Sequence, residues 1–281
     1  MNKLGRLRIK AGSVVRGVVR RLSRTSLGRL VTDPAVQVAR ERTVEVTHGS
    51  ISLVLSVPSG LNRFRAATFS TKEPETLEWI DGFRTDSVLW DIGANVGLYS
   101  CYAAARGCRV VAFEPSVFNL EMLARNVHLN TLSDAVTIVP LPLTDSPGPE
   151  KLRMSTTEWG GAQSSFGVDY GFDGQELEIV LEYSMVGTSM DEAPAALAIA
   201  TPDHVKIDVD GIEHLVLEGG SSILSQVESV LVEVDDRFAL QGERTGIALV
   251  GAGLEFVEKK RSSLFDDGPY ASCFNQIWVR R

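Results

Sequence analysis

Side chains suited to acid–base chemistry are concentrated between residues 206 and 214. This short segment contains Lys206, Asp208, Asp210, Glu213 and His214. Because alternate side chains of a strand point to the same face, the first three are predicted to share one side of the chain. A carboxylate or an imidazole placed there can remove a proton from a bound hydroxyl group. We therefore predict catalytic residues in this segment, with Asp208 and Glu213 preferred and the lysine and the histidine as further candidates.

Each of these side chains also has a purely structural explanation. Glu213 suits the first turn of a helix, where the helix dipole favours negative charge. Lys206 can simply pair with Asp208. His214 has the most suitable unperturbed pKa for a base, but a single histidine is more often an ordinary surface or core residue. The sequence leaves both explanations open.

A glycine-rich turn, Asp-Ile-Gly-Ala-Asn-Val-Gly over residues 91–97, follows a short apolar run. A P-loop would need a lysine after the last glycine, and a dinucleotide site would need a glycine where Asn95 stands. A carboxylate at Asp91 would repel a pyrophosphate but suits a ligand with an ammonium group. Gly93 and Gly97 permit a tight turn and close approach of a ligand. The turn therefore favours S-adenosylmethionine, which has an ammonium, a sulfonium and no phosphate, and all four named residues are predicted to bind it.

Two acidic residues that follow later strands extend this cofactor prediction. Glu114 ends the apolar run Arg109–Phe113 and can accept hydrogen bonds from both hydroxyls of a ribose. Asp145 follows the next predicted strand and can accept one from an adenine amino group, although Asp-Ser-Pro-Gly is also an ordinary turn sequence. Together they favour a cofactor that contains adenosine.

Acidic residues also lie at the ends of the predicted strands His204–Val209 and Ser229–Val234. Asp208, Glu233 and Asp235 would supply the oxygen ligands that Mg²⁺ prefers, if a divalent cation is used. Their spacing matches no metal-binding motif. We therefore favour a solvated acidic rim and predict no metal at this site.

Strands and helices alternate through residues 85–281, which predicts parallel βαβ units and a doubly wound α/β domain. The seven predicted strands are Ser87–Ile92, Arg109–Phe113, Val136–Leu141, His204–Val209, Ser229–Val234, Leu254–Glu258 and Cys273–Val279. The last two follow each other without a helix, which predicts a hairpin and one antiparallel strand in a mostly parallel sheet. Residues 41–84 are predicted to add a β-hairpin around Gly49 and a helix, both packed on this domain.

Basic residues are concentrated at the N-terminus. Residues 1–30 hold nine of the 28 basic residues and none of the 36 acidic ones, so the rest carries 19 basic and 36 acidic residues, a net charge of −17. This acidic body argues against nucleic acid as a partner. We predict that residues 1–40 form a separate basic segment with the spacing of an amphipathic helix. Residues 1–30 would then contact an anionic membrane surface peripherally, with a disordered tail or a helix packed on the body as alternatives.

The three cysteines, without any Cys-x-x-Cys, predict neither a disulfide framework nor a thiolate zinc site. No run approaches 18 apolar residues, so no transmembrane helix is predicted. The N-terminus lacks the continuous apolar stretch of a secretory signal. We expect a cytoplasmic protein, and the sequence does not indicate its oligomeric state.

Several motifs, in their order along residues 65–280, resemble the FkbM-type methyltransferases. They are Lys72-Glu73-Pro74-Glu75, the turn from Asp91 to Ser100, Ala112-Phe113-Glu114-Pro115-Ser116, Leu143-Thr144-Asp145, Thr188-Ser189-Met190-Asp191 and the segment from Val205 to Glu213. The resemblance implies a class I, Rossmann-like fold and methyl transfer from S-adenosylmethionine to a hydroxyl, often on a sugar. It also implies Asp91, Gly93 and Glu114 as cofactor contacts.

We therefore predict an O-methyltransferase acting on a sugar, glycan, glycolipid or secondary metabolite. The alternatives are an NAD(P)-dependent oxidoreductase on the same type of sheet and a cofactor-binding module without catalysis. The stretch 155–175 is rich in glycine and aromatic residues and lacks periodicity, which favours an acceptor lid over a disordered insertion. If its Trp159 stacks on a sugar ring, Trp159→Ala should raise the acceptor KM without changing cofactor affinity.

Overall fold

The structure is a computed structural model that describes residues 14–281, and residues 14–22 are helical. The helices that follow are α1 Ser26–Arg40, α2 Gly60–Ala67, α3 Phe69–Lys72, α4 Pro74–Asp81, α5 Leu98–Ala105, α6 Val117–Leu129, α7 Ala193–Leu197, α8 Glu213–Glu218, α9 Ser221–Leu224 and α10 Ala239–Gly251. The strands are β1 Thr43–His48, β2 Ile51–Ser56, β3 Val88–Ile92, β4 Arg109–Phe113, β5 Val136–Val139, β6 Gly148–Met154, β7 Ser164–Phe166, β8 Leu181–Gly187, β9 His204–Ile207, β10 Ser229–Asp235, β11 Glu255–Lys260 and β12 Cys273–Val279.

Seven strands form the central sheet, in the order β11-β12-β10-β9-β3-β4-β5. Strands β3, β4, β5, β9 and β10 are parallel, and β12 runs antiparallel to both of its neighbours. The predicted doubly wound, mostly parallel sheet and its antiparallel last strand are confirmed. The chain leaves β3 towards β4 and β5 and later returns to the other side of β3 with β9. Ligands of such sheets bind at the carboxyl ends of the strands where this reversal occurs.

Apolar side chains of the sheet pack on both of its faces, as expected for strands that helices cover on each side. Strand β3 shows the division, because Leu89 faces one hydrophobic cluster while Trp90 and Ile92 face the other. The first cluster is completed by α4, α5, α6 and the β1–β2 hairpin, and the second by α8, α9 and α10. Burial on both faces fixes the register of β3 and therefore the position of the turn that follows it.

The predicted hairpin over residues 43–57 is confirmed as β1 and β2, which are connected at Gly49. Asn126 on α6 and Asn130, which directly follows α6, attach the hairpin to the rest of the domain. Asn126 accepts a hydrogen bond from the backbone N–H of Ser56 at 2.8 Å, and Asn130 bonds both backbone groups of Val54. These bonds satisfy backbone groups at the free edge of β2, so the hairpin is attached by its backbone as well as by packing.

Two parts of the chain differ from prediction. No strand was predicted between β5 and β9, but this stretch contains a three-stranded antiparallel sheet in the order β7-β6-β8. The helix predicted to have Glu213 in its first turn is divided into α8 and α9 at Gly219 and Gly220. A Cβ atom at Gly219 would lie 2.2 Å from the carbonyl oxygen of Thr144, so close packing against the loop after β5 requires glycine at this break.

Residues 14–22 and 26–40 of the basic N-terminal segment are helical, and the rest of that prediction concerns residues 1–13, which lie outside the described part. Helix α1 begins at Thr25, whose hydroxyl accepts a hydrogen bond from the N–H of Gly28 at 3.0 Å. Residues 14–281 contain no helix that is long and apolar enough to cross a membrane.

Candidate active site

A cavity of about 400 Å³ lies at the carboxyl ends of β3, β9 and β10, where the strand order reverses. We call it the main cavity. The turn after β3 lines one side, and Lys206, Asp208 and Glu233 project from β9 and β10. Segments distant in sequence close the other side, including Lys72 at the end of α3 and Tyr270 in the β11–β12 connection. The predicted segment around residue 206 therefore does face a cavity of ligand size.

A narrower cleft of about 40 Å³ adjoins the main cavity and shares Gly93, Asn95 and Asp208 with it. We call it the side cleft. It extends along the ends of β4 and β5 and is lined there by Glu114 and Leu143. The two spaces together run across the ends of five parallel strands, with the glycine-rich turn at their junction.

The conformation of the glycine-rich turn explains its composition. Gly93 has a φ of +84°, and a Cβ atom there would lie 1.8 Å from the carbonyl oxygen of Asp208. Gly97 has a φ of +76°, and its Cβ would lie 2.2 Å from the side chain of Leu123 on α6. Asn95, with a φ of +52°, donates from Nδ2 to the carbonyl oxygen of Gly161 at 2.9 Å. The turn thus holds β3, β9, α6 and the loop after β6 together.

Glu114 lies in the side cleft with its carboxylate already fixed by the backbone. One oxygen accepts from the N–H of Asn95 at 2.7 Å and the other from the N–H of Ser116 at 2.8 Å. Burial raises the pKa of Glu114 to about 7 against these two stabilising hydrogen bonds. Each carboxylate oxygen keeps a further lone pair, so Glu114 can still accept bonds from two hydroxyl groups.

Two predicted cofactor residues lie elsewhere. Asp145 is exposed, shares its carboxylate with the neighbouring Thr144 hydroxyl, and is absent from the described lining of both the main cavity and the side cleft. Asp91 is only 1% exposed and lies beneath the turn, where its Oδ2 accepts from the hydroxyl of Ser100. Neither described lining includes Asp91. The prediction that Asp91 meets the ammonium group of a ligand is therefore not supported by its position.

The partner of Asp91 is Lys206, a lysine whose side chain is 2% exposed. Its Nζ lies 3.0 Å from Oδ2 of Asp208, 3.9 Å from Oδ1 of Asp91 and 5.4 Å from the ring centre of Tyr99. Burial disfavours the ammonium ion, but the two carboxylates outweigh it and raise the pKa of Lys206 above its usual value. Lys206 is therefore a permanent cation, and the structural pairing considered for it with Asp208 is present.

Asp208 is the most accessible member of this group, with about a quarter of its side chain exposed to the main cavity. Burial would raise its pKa, but the charges of Lys206 and Lys72 outweigh burial and lower it. Glu233 behaves in the opposite way, because burial and then the charges of Asp208 and Glu73 raise its pKa well above the usual value. The cavity thus contains one carboxyl group whose ionised form is favoured, Asp208, and one whose neutral form is favoured, Glu233.

Glu213 and His214, predicted as catalytic candidates, are buried outside the described lining of both spaces. Glu213 accepts hydrogen bonds from the backbone N–H groups of Val209 and Gly211, at 2.9 and 3.0 Å. His214 packs edge-on against Phe238, and burial lowers its pKa to about 4. The structural explanation applies to both, since Glu213 closes the turn after β9 and His214 is a neutral core residue.

The proposed metal ligands are also separated. Glu233 reaches the main cavity together with Asp208, but Asp235 is buried against Arg237, Ser272 and Cys273. Within residues 14–281, no three side chains of histidine, cysteine, aspartate or glutamate are arranged to hold a metal ion.

The loop after β6 contributes to the main cavity differently from its prediction. Trp159 packs against the first hydrophobic cluster and donates from Nε1 to Oε2 of Glu121 at 3.1 Å, which turns its ring away from the described cavity lining. Its neighbours Glu158 and Gly161 line the cavity instead. The expectation that Trp159→Ala raises an acceptor KM by loss of stacking is therefore withdrawn.

Sequence reasoning missed the aromatic and basic side chains that do reach the cavity. They are Phe64, Arg65, Tyr99, Arg261, Phe265 and Tyr270. Only Tyr99 lies within a motif that could have signalled it, in the turn that runs from Asp91 to Ser100. The others come from α2 and from the β11–β12 connection, which the fold brings together across the sheet.

Comparisons with known proteins agree with this arrangement. The family model described as "Methyltransferase FkbM domain" matches residues 91–258, well over half of the chain. A hexuronic acid methyltransferase, AglP, from Haloferax volcanii is 30% identical over 155 residues, which are 53% of this chain and 56% of that protein. The match therefore spans about half the length of that curated relative.

Solved structures with a similar arrangement include the methyltransferase FkbM from Methylobacillus flagellatus KT. It is 12% identical with a TM-score of 0.45, and the alignment covers 88% of this chain and 59% of that one. Another is P. horikoshii TYW2 in complex with MeSAdo, 12% identical with a TM-score of 0.46 over 84% of this chain and 69% of that one.

The family match begins at Asp91 and includes the turn, Glu114 and the cavity segment from Lys206 to Glu213. It favours methyl transfer over the dinucleotide chemistry that the same type of sheet also supports. The chain belongs to the FkbM methyltransferase family.

Proposed function

We propose that the protein methylates a hydroxyl group of a sugar-containing acceptor, with Asp208 as the general base. The observation that carries this proposal is the position of Asp208 at the junction of the side cleft and the main cavity. A group there can meet a cofactor that lies on the turn and an acceptor that fills the cavity. The name of the relative from Haloferax volcanii supports a sugar as acceptor.

The turn and the side cleft fit the cofactor. Glu114 retains acceptor capacity for the two ribose hydroxyls, and Gly93 lines both the main cavity and the side cleft. The Oδ1 atom of Asn95 is buried and has no hydrogen-bond partner among the described residues. An unsatisfied acceptor of this kind suits a ligand that brings a donor. When bound, S-adenosylmethionine supplies a methyl group on a sulfonium, which an oxygen nucleophile can attack.

The far side of the main cavity fits a sugar ring. Phe265 and Tyr270 offer aromatic faces, and Asn275 and Arg65 offer polar groups at the same wall. Arg65 donates from Nε to the carbonyl oxygen of Gly160 at 2.8 Å, which leaves the two terminal nitrogens of its guanidinium for an acceptor. Apolar surface combined with a few placed polar groups is the usual composition of a small-molecule site.

The charges around Asp208 suit proton removal. Lys206 keeps the carboxylate of Asp208 ionised. Asp208 can therefore accept the hydroxyl proton while the acceptor oxygen forms its new bond to the methyl carbon. Burial raises the pKa of Glu233 and favours its protonated form, which can donate a hydrogen bond to a second oxygen of the acceptor. The products are the methyl ether and S-adenosylhomocysteine, and the proton leaves through Asp208.

The test is a methyl-transfer assay with labelled S-adenosylmethionine and a panel of neutral and acidic sugars, glycans, glycolipids and non-sugar alcohols. For the accepted compound, Asp208→Asn should lower kcat by about 10²–10⁴-fold. The affinity of the Asp208→Asn variant for S-adenosylmethionine should stay within a few fold of the wild-type affinity. Asp236→Asn is the control, because Asp236 is an exposed acid just after β10 and lies outside the described cavity lining. Full kcat in Asp208→Asn, or acceptance of non-sugar alcohols alone, would contradict the proposal.

A further inference from the structure

The N-terminal arm, defined here as residues 14–40, carries apolar side chains that its described surroundings leave in solvent. Leu30 and Val31 of α1 are 71% and 72% exposed, and Val14 of the preceding helix is 66% exposed. The exposed apolar residues of the arm are Val14, Val15, Val18, Val19, Leu22, Leu27, Leu30, Val31, Val36 and Val38. The arm thus exposes ten large apolar residues within 27 positions, and exposed apolar surface concentrated in this way is uncommon without a binding partner.

Nine of these ten residues are arranged as stripes, and Val36 lies outside them. At 3.6 residues per turn, the five apolar residues of 14–22 fall within an arc of about 140°. Arg16 and Arg20 lie on the opposite side of that helix. In α1, Leu27, Leu30, Val31 and Val38 fall within an arc of about 100° by the same geometry. Each helix of the arm is therefore amphipathic in its own right.

The polar side of the arm is strongly basic. Arg16, Arg20, Arg21, Arg24 and Arg29 are all exposed. Residues 1–30 contain no acidic residue, whereas the rest of the chain has a net charge of −17. A second copy of the chain would bring another basic arm against this one. An anionic lipid surface supplies the opposite charge and an apolar interior together, so charge complementarity favours lipid as the partner.

We propose that the arm docks on an anionic lipid bilayer, with its apolar stripes in the interface and its arginines on the headgroups. Amphipathic basic helices bind in this way, and each lysine or arginine near the surface contributes on the order of 1 kcal/mol. A contribution of about 1 kcal/mol corresponds to about a fivefold change in the partition coefficient between water and the bilayer. Neither the methyl donor nor the acceptor takes part, so the inference does not depend on the proposed function.

The arm is connected to the wall of the main cavity. Arg40, its last residue, forms an ion pair with Glu121 on α6. The same carboxylate accepts the hydrogen bond from Trp159, whose neighbours Glu158 and Gly161 line the cavity. A docked arm therefore keeps this wall of the cavity close to the bilayer, within reach of an acceptor attached to lipid.

The test is co-sedimentation of the full-length protein with vesicles of phosphatidylcholine alone or mixed with phosphatidylserine, at low and high salt. Binding to the mixed vesicles, weakened by salt, is expected. Leu30→Asp should abolish it, and Arg16→Ala with Arg20→Ala should weaken it roughly tenfold or more. Ile247→Asp is the matched control, because Ile247 is 66% exposed on α10, outside the arm. Binding of S-adenosylmethionine by each variant reports that the body remains folded.

Three results would overturn the proposal. The first is no binding to either vesicle at low salt, and the second is equal binding to neutral and anionic vesicles. The third is equal loss of binding in Leu30→Asp and Ile247→Asp. A concentration-dependent dimer that Leu30→Asp dissociates, without vesicle binding, would assign the stripe to a second copy of the chain instead.

Discussion

Replacing Lys206 by methionine tests how the charges beneath the active site are held. Methionine keeps the apolar stem and nearly the length of the lysine while removing its ammonium. The lysine Nζ lies 3.0 Å from Oδ2 of Asp208 and 3.9 Å from Oδ1 of Asp91. Asp91 Oδ1 is buried and has no hydrogen-bond partner among residues 14–281, so the lysine is the only compensation described for that oxygen.

The magnitude follows from two limits. Removing one partner of a buried ion pair costs about 3–5 kcal/mol, because the remaining charge stays buried without compensation. The carboxylate can escape part of this cost by binding a proton. Protonating an aspartate of ordinary pKa near 3.9 at pH 7.5 costs about 5 kcal/mol, at about 1.4 kcal/mol per pH unit. We therefore expect Lys206→Met to lower the free energy of unfolding by about 3–5 kcal/mol.

Urea denaturation of the whole chain at pH 7.5 measures this loss without the screening that an ionic denaturant would add. Lys260→Met is the matched control. Its Nζ also faces two carboxylates, Glu258 at 3.1 Å and Glu78 at 3.4 Å, but all three side chains are exposed. It should lose less than about 1 kcal/mol. A loss below about 1 kcal/mol for Lys206→Met, or equal losses for the two variants, would refute the reasoning.

The pH dependence provides a second check on the same variant. In the wild type the pKa of Asp208 is lowered, so its contribution is present above its usual pKa and is lost as pH falls through the lowered value. Without Lys206, burial raises the pKa of Asp208, and the folded variant gains stability as pH falls. The difference in unfolding free energy between wild type and variant should therefore shrink from pH 7.5 to pH 5. A constant difference would show that lost packing, and not charge, causes the effect.

Two further predictions concern the pH dependence of stability in the cofactor-free protein and the role of Gly93 in cofactor binding. Burial raises the pKa values of Glu114 and Glu213 to about 7, so stability from these groups is lost as pH rises through 7. Urea unfolding should give about 1 kcal/mol more stability at pH 6.5 than at pH 8. The buried His204 and His214, whose pKa values are lowered to about 4, offset the gain from the two glutamates only partly. Glu213→Gln should flatten the dependence of stability on pH, and an unchanged slope would contradict this prediction. Gly93→Ala should abolish S-adenosylmethionine binding in calorimetry, because its Cβ would lie 1.8 Å from a carbonyl oxygen at a φ of +84°. Gly246→Ala, where nothing lies within 4 Å, should bind normally and gain up to about 1 kcal/mol as a helical alanine, and equal behaviour of the two glycine variants would contradict the argument.

The central sheet was predictable because each of its strands is a short apolar run whose two ends can be located in the sequence. Strand β4 is bounded by a cysteine and by Glu114, and its predicted limits are the observed ones. The three-stranded sheet was missed although β8 alternates, with Leu181, Tyr183 and Met185 packed against a hydrophobic cluster of Leu152, Met154, Phe166 and Ile212. Its partner β6 begins with glycine and proline, which predict a turn, so pairing across residues 148–187 was not visible from local pattern alone.

The cavity was predictable from one side only. Residues on the ends of strands belong to known positions in a doubly wound sheet, which is why Asp208, Gly93 and Glu114 face the two spaces. Arg65 and Tyr270 lie more than 200 positions apart in sequence, and no periodicity relates them. Both line the main cavity because α2 and the β11–β12 connection border it in the folded chain.

The choice between Asp208 and His214 as base illustrates how chemistry corrects a rule based on pKa alone. The unperturbed pKa of histidine is near neutrality, which made His214 a candidate base. In the structure His214 is buried as a neutral ring away from the described cavity. A hydroxyl oxygen becomes strongly acidic as it gains a methyl group, so its proton can pass to a weak base late in the reaction. A carboxylate whose ionised form Lys206 favours meets that need. The pairing that lowers the basicity of Asp208 is therefore compatible with its role, because being ionised matters more here than being strongly basic.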